Sequence, residues 1–194
     1  MARTRIAGVF GSCVLLLASA STPALEAQQS KPVETFTCFA VSLGTGKASV
    51  IDITIDRWST DQEREMLLTT LQEFGQDKLL SALEKIRPRV GYMRTPTSLG
   101  YDLYYARNNP QPDGSRKVVL ATNRQVSFRE AANNTRSMQY QFTLIEIHLD
   151  KNGKGEGKLV PAAKVSWDTK TKKIEIDNYN ALPVDLTSVT AKTP

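Results

Sequence analysis

The sequence predicts an α+β fold, a largely antiparallel sheet of about eight strands with two consecutive helices packed on it. Three observations point there. Residues 49–56 alternate strictly, with Ile51, Ile53 and Ile55 on one side and Asp52, Thr54 and Asp56 on the other, the period of a half-buried strand. The period then turns helical behind Thr60-Asp61-Gln62-Glu63, a capping box in which Thr60 and Glu63 satisfy each other's backbone donors. Beyond residue 88, apolar runs are separated by short Gly/Pro/Asn segments, the punctuation of antiparallel neighbours. Strands, then a helix pair, then strands again is the segregated order of an α+β domain.

Taken in order, residues 28–34 read as a loose leader and 35–190 as one globular domain. The first strand is expected over 35–43, and Gly44-Thr45-Gly46-Lys47 is the turn that hairpins it to the second. The first helix is expected over 60–74, because Leu67, Leu68, Leu71 and Phe74 recur at helical spacing and Gly75 stands where such a helix ends. A second is expected over 77–86 on the stripe Leu79, Leu80, Leu83 and Ile86, stopped by Arg87-Pro88. Asp61, Glu63 and Glu65 suit the positive end of the first helix. Further strands are expected at 90–94, 101–107, 116–122, 140–150, 158–168 and 173–177. Turns at 95–98, 110–114 and 151–157 join them, 123–138 is a longer crossing, and Pro161 within its strand signals an edge or a bulge.

Composition narrows the function classes. The chain has 194 residues, 25 Lys+Arg, 20 Asp+Glu, one His and two Cys. At 40% hydrophobic it can bury a core. Two cysteines build no disulfide framework, and one histidine excludes a multi-His metal site. Arg3 and Arg5, the apolar run 6–20, Pro23 and the small residue Ala27 form a secretory signal peptide over 1–27, cut near Ala27. The run is shorter than a membrane span requires, so no transmembrane segment is expected once it is removed, and the protein is expected to be secreted or periplasmic. Removal takes Cys13 and leaves Cys38 alone within Phe36-Thr37-Cys38-Phe39-Ala40, where it reads as a small core hydrophobe.

Motifs that carry chemistry are mostly absent. Gly46-Lys47 lacks the first Gly and the Ser/Thr of a phosphate loop, and strands flank it on both sides. Asp150-Lys151-Asn152-Gly153-Lys154-Gly155 begins like a calcium loop, but Lys154 stands where an acidic ligand belongs and Pro161 where the closing Glu belongs. His148 is the sole imidazole, and Glu146 lies two residues before it on the same strand face, about 7 Å away by strand rise. That pair is the weak catalytic candidate: a carboxylate orienting an imidazole for base work, or two metal ligands wanting a third. No nucleophile is assigned to it, and neither a cofactor nor a bound metal is expected.

Charge is unevenly spread. Residues 28–84 carry 5 basic and 9 acidic groups, and 85–136 carry 10 basic and 3 acidic. The basic part is dominated by arginine, including Arg94, Arg107, Arg116 and Arg124, interleaved with Tyr92, Tyr104 and Tyr105. Arginine offers a planar fork to carboxylate or phosphate, and tyrosine a flat amphipathic surface. These seven residues are the candidate binding set, and anion binding is the expected chemistry. The partner would be an anionic glycan, a lipid headgroup or an acidic protein. Nucleic acid is not expected, since no recognition motif is present.

Arg57-Trp58-Ser59, Tyr104-Tyr105-Ala106-Arg107 and Gly155-Glu156-Gly157-Lys158 give the chain a look similar to small exported bacterial proteins of unknown function, a resemblance that implies no activity. The expectation is therefore an exported non-enzymatic domain that binds an anionic envelope or extracellular component through an Arg/Tyr-rich face. The alternative is a small exported hydrolase or metal-assisted enzyme built on Glu146 and His148.

Overall fold

The strand β1 (Glu34–Val41) pairs antiparallel with β2 (Ala48–Ile55) along its whole length, Glu34 opposite Ile55 and Val41 opposite Ala48. Alternation sends Phe36, Cys38 and Ala40 of one and Ile51, Ile53 and Ile55 of the other to the same buried side. The computed structural model describes residues 31–41, 48–96, 99–125, 139–178 and 183–193. The expected signal peptide, the turn at 44–47 and most of the crossing at 123–138 lie outside these residues.

After β2 the chain enters α1 (Asp61–Phe74) and α2 (Gln76–Glu84). Thr60 caps α1 through the full capping box: its Oγ1 accepts from the Glu63 N–H at 3.1 Å, and Glu63 Oε2 accepts from the Thr60 N–H at 2.8 Å. Gly75, at φ 76°, ends α1 and starts α2 with a backbone that a side chain would strain. Then come β3 (Gly91–Arg94), β4 (Tyr101–Leu103), β5 (Tyr105–Pro110), β6 (Arg116–Thr122), β7 (Phe142–Leu149), β8 (Lys154–Asp168), β9 (Lys173–Asn178) and β10 (Val184–Lys192).

All pairings are antiparallel, in the order β4-β3-β2-β1-β10-β8-β7-β6-β5, with β9 added beside β8. The two edge strands, β4 and β5, are one run of chain bent at Tyr104, whose N–H donates to Ala121 O at 3.0 Å. The edges of the sheet therefore meet, and it curls into a nearly closed barrel. The gap left beside β5 is filled by Ser59, which donates its N–H to Ala106 O at 2.7 Å and accepts from the Ala106 N–H at 3.0 Å. Closure of this kind removes the exposed edges that would template association.

Side chains fill the interior. Phe36, Ile51, Ile53, Met93, Leu120, Ile147 and Leu186 are fully buried there, with Trp58 packed against them; an eight-stranded barrel is just wide enough for such filling. A second cluster lies outside the barrel, where Leu67, Leu71, Leu83 and Ile86 of the helical layer meet Phe142, Ala163 and Val165. Of the edge or bulge expected at Pro161, the structure has the bulge: Leu144 pairs with Val160 but Phe142 with Ala163, so β8 carries an extra residue. That residue re-aims the distal half of β8, sending Val165 and Trp167 to the helices instead of the barrel interior.

Four expectations need correction. The leader ends at 33, since Glu34 begins β1. The turn placed at 151–157 occupies only 150–153, and β8 starts at Lys154. A Cβ at Gly155 or Gly157 would overlap the carbonyl oxygens of His148 and Glu146, so these glycines serve close strand approach. The strand expected over 101–107 is split at Tyr104. Lastly, β10 was not anticipated, yet it joins the first strand to the rest of the sheet.

Candidate functional site

Strand register arranges the outer face of the barrel in rows. Tyr105, Ala121, Leu144 and Val160 stand side by side, an almost wholly hydrocarbon row. One strand repeat further along come Arg107, Val119, Glu146 and Lys158, and beyond them Asn109, Lys117, His148 and Glu156. The surface thus grades from apolar to charged within two residues of each strand, about 7 Å.

Above the apolar row sit α1 and α2, and between helices and sheet lies an apolar groove of about 240 Å³. Leu67, Leu68 and Leu71 of α1 with Leu79 and Leu83 of α2 form its roof. Its floor is Tyr105, Val119, Ala121, Phe142 and Leu144, and Val165, Ile174 and Ile176 of the β8–β9 hairpin make the far wall. Gln76 anchors that wall by accepting from the Val165 N–H at 2.7 Å. Polar groups gather at the Tyr105 end. Arg64, one turn before Leu67 and Leu68 and so on the same helix face, lines the groove together with Tyr105, and its charge acts on the Tyr105 phenol. Burial raises this phenol above its ordinary pKa, against the pull of the Arg107 and Arg64 charges. Arg107 Nη1 donates to Asp61 Oδ1 at 2.7 Å.

The sequence-predicted binding residues divide among several places. Tyr105 and Arg107 are at the groove. Tyr92 and Arg94 lie on the outer face of β3, the Tyr92 ring flanked by Arg89 at 5.1 Å and Arg94 at 4.8 Å; Arg89 is itself tied to Asp102. Arg124 covers Tyr101 at 4.8 Å and donates to Gly100 O at 2.8 Å. Tyr104 is the bend residue, with Arg87 over its ring at 5.5 Å. Arg116 points into the barrel and holds Glu34 with both arms, at 2.8 and 2.5 Å. With Glu34 only 7% exposed and Arg116 20%, removing one partner strands a buried charge at about 3–5 kcal/mol, so Arg116 is not free to receive an anion. The described Arg/Tyr residues therefore do not form one face.

Glu146 and His148 do meet, Nε2 to Oε1 at 2.8 Å, and Lys117 Nζ joins Glu146 Oε2 at 3.2 Å. Desolvation pushes Glu146 up, but the hydrogen bonds from His148 and Lys117 outweigh it and hold the carboxyl below its ordinary value. The pair stands on the outer barrel face, 46% and 61% exposed. Among the described residues no hydroxyl or thiol is hydrogen-bonded to His148, and no cluster of three metal-ligating side chains occurs. No helix among them is long and apolar enough to cross a membrane.

Sequence reasoning missed Arg64 and the groove. Arg64 falls in the acidic part of the chain, and the groove joins residues from seven elements. The available signal was local: Ala121, Phe142 and Leu144 are apolar on the strand face opposite the core. No protein-family model, curated protein or solved structure matches the chain.

Proposed function

We propose that this chain is an exported, non-catalytic domain that binds an amphipathic anion of the cell envelope or its surroundings. The observation that carries this reading is the apolar groove ending at Arg64, Tyr105 and Arg107. An apolar concavity with a few convergent polar groups is the usual form of a small-molecule site. Energetics favours this arginine pair over Arg116. The partner of Arg107, Asp61, is 91% exposed, and a solvent-exposed ion pair contributes at most about 1 kcal/mol. Exchanging Asp61 for a ligand anion therefore costs little, whereas Arg116 is committed to a buried partner.

A thermal-melt comparison tests the reading. Octyl sulfate, an anion with a single apolar tail, should raise the melting temperature by several degrees at a hundredfold over its dissociation constant, equivalent to about 2.7 kcal/mol. Inorganic phosphate and polyphosphate, which lack an apolar part, should not. Equal stabilisation by the bare anions would overturn the groove as the site.

A further inference from the structure

Resting on the groove as the binding site, we propose that its ligand is a single unbranched alkyl chain of about eight to ten carbons with a terminal oxyanion. The chain lies along the Leu144 row beneath α1, and the head meets Arg64 and the Tyr105 phenol. The length follows from volume. A groove of about 240 Å³ takes about eight methylenes, if each occupies roughly the ~30 Å³ share of a water, and the terminal methyl and head carbon bring the chain to about eight to ten carbons.

The lining decides the character of the chain. Apart from Arg64 and the Tyr105 hydroxyl, every side chain lining the groove is hydrocarbon. A hydroxylated or glycosidic ligand buried there would leave its polar groups unpaired, about 1–3 kcal/mol each. The sheet sets a second limit. One repeat beyond the Leu144 row the floor changes to Arg107, Glu146 and Lys158, with Val119 the single apolar member. A longer chain gains nothing from apolar contact in that direction.

Charge decides the head. The ionised groups acting on the Tyr105 phenol are Arg107, Arg64 and Asp61, two positive and one negative. Arg107 is paired with Asp61, and Arg64 has no carboxylate partner among the described residues. One positive charge is left over where the apolar lining ends, and the phenol, kept protonated by burial and by Asp61, is a donor beside it. A carboxylate and a phosphate monoester share the chemistry that this corner recognises, and a cationic head is repelled.

Calorimetric titration of the purified protein tests this with butyrate, hexanoate, decanoate and hexadecanoate, and with decyl phosphate, decanol and decylammonium. Affinity should rise about fourfold per methylene from hexanoate to decanoate, the equivalent of ~0.8 kcal/mol per buried CH₂, and level off before hexadecanoate. Decanoate should bind at least tenfold tighter than decylammonium. Arg64→Gln should weaken decanoate about tenfold and leave decanol unchanged, and Leu68→Trp, which fills the groove, should abolish both. Val119→Trp blocks the groove from the floor, should the helix variant fail to fold. Tighter binding of decyl phosphate than of decanoate would support the proposal and identify phosphate as the head. Equal affinity for decanoate, decanol and decylammonium would overturn the oxyanion while leaving the groove as the site. No binding of any decyl compound, or binding indifferent to both tryptophan variants, would overturn the groove as well.

Discussion

Cys38 shows how little a residue's type says before its surroundings are known. A lone thiol could be a nucleophile, yet Cys38 is fully buried in the barrel with its Sγ 3.7 Å from Ile51 O. Burial, helped by the Asp52 charge, pushes the thiol up to about 12 from an ordinary 9.0, the opposite of activation. The folded state therefore keeps its proton where the unfolded chain has lost it. The stability this contributes is complete below pH 9.0 and is lost as pH rises toward about 12. In a Cys13→Ser background, iodoacetamide should label Cys38 only after denaturant is added. Urea midpoints should also fall less between neutral and alkaline pH in Cys38→Val than in its parent. An equal fall in both would rule out the thiol as the source. Glu34 makes the same point from the other side: read as leader, it is the buried partner of Arg116, because barrel curvature brings β6 to the start of β1.

Among the elements, α1 was the most legible. Its cap, its apolar stripe and its terminal glycine all act within a few residues, so local chemistry settles them. Arg57 extends the cap, donating to Glu63 Oε1 at 2.8 Å and Oε2 at 3.0 Å. That bond, ahead of the opposing effect of burial, holds the Glu63 carboxyl below its ordinary 4.5. A lowered folded value contributes stability above the unfolded pKa, and this is lost as pH falls through the folded one. Thr60→Ala should cost about 1 kcal/mol in urea unfolding at neutral pH. Glu63→Gln should lose less stability than the parent when pH drops below 4.5, and an identical acid limb would contradict the cap assignment. The strand β10 was illegible for an equally physical reason. Val184, Leu186 and Val189 point inward, and the step from 186 to 189 breaks the period of two. The break is a bulge: registers with both neighbours slip there, and Ser188 sits at φ 52°.

For the molecule as a whole, β10 is the keystone of closure. It lies between β1 and β8, and without it the hairpin β1–β2 has no link to the rest of the sheet except through β3 and β4. The barrel would open on two long apolar edges. A chain ending at residue 182 should show no cooperative thermal transition and should aggregate; a sharp melt near that of the full chain would refute this role. Closure also makes the groove. The β8–β9 hairpin runs past the barrel and walls the space under the helices, while the curvature of β5, β6 and β7 supplies its floor.

The amino-acid sequence by itself determined the α+β class, both helices, the capping box and terminal glycine of the first, most strand positions, and an irregularity at Pro161. These follow from periodicity, capping and turn chemistry, which act over three to ten neighbours. It also placed Tyr105 and Arg107 among the candidate binding residues and brought Glu146 and His148 to one face. Only the tertiary structure decided which arginines are committed and which are available. That choice depends on partners 46 residues away for Arg107 and 82 away for Arg116. It likewise created the groove, whose apolar row takes one residue from each of four strands and whose roof comes from two helices. No window of sequence contains those neighbours, because strand register and sheet curvature bring them together only when the barrel closes.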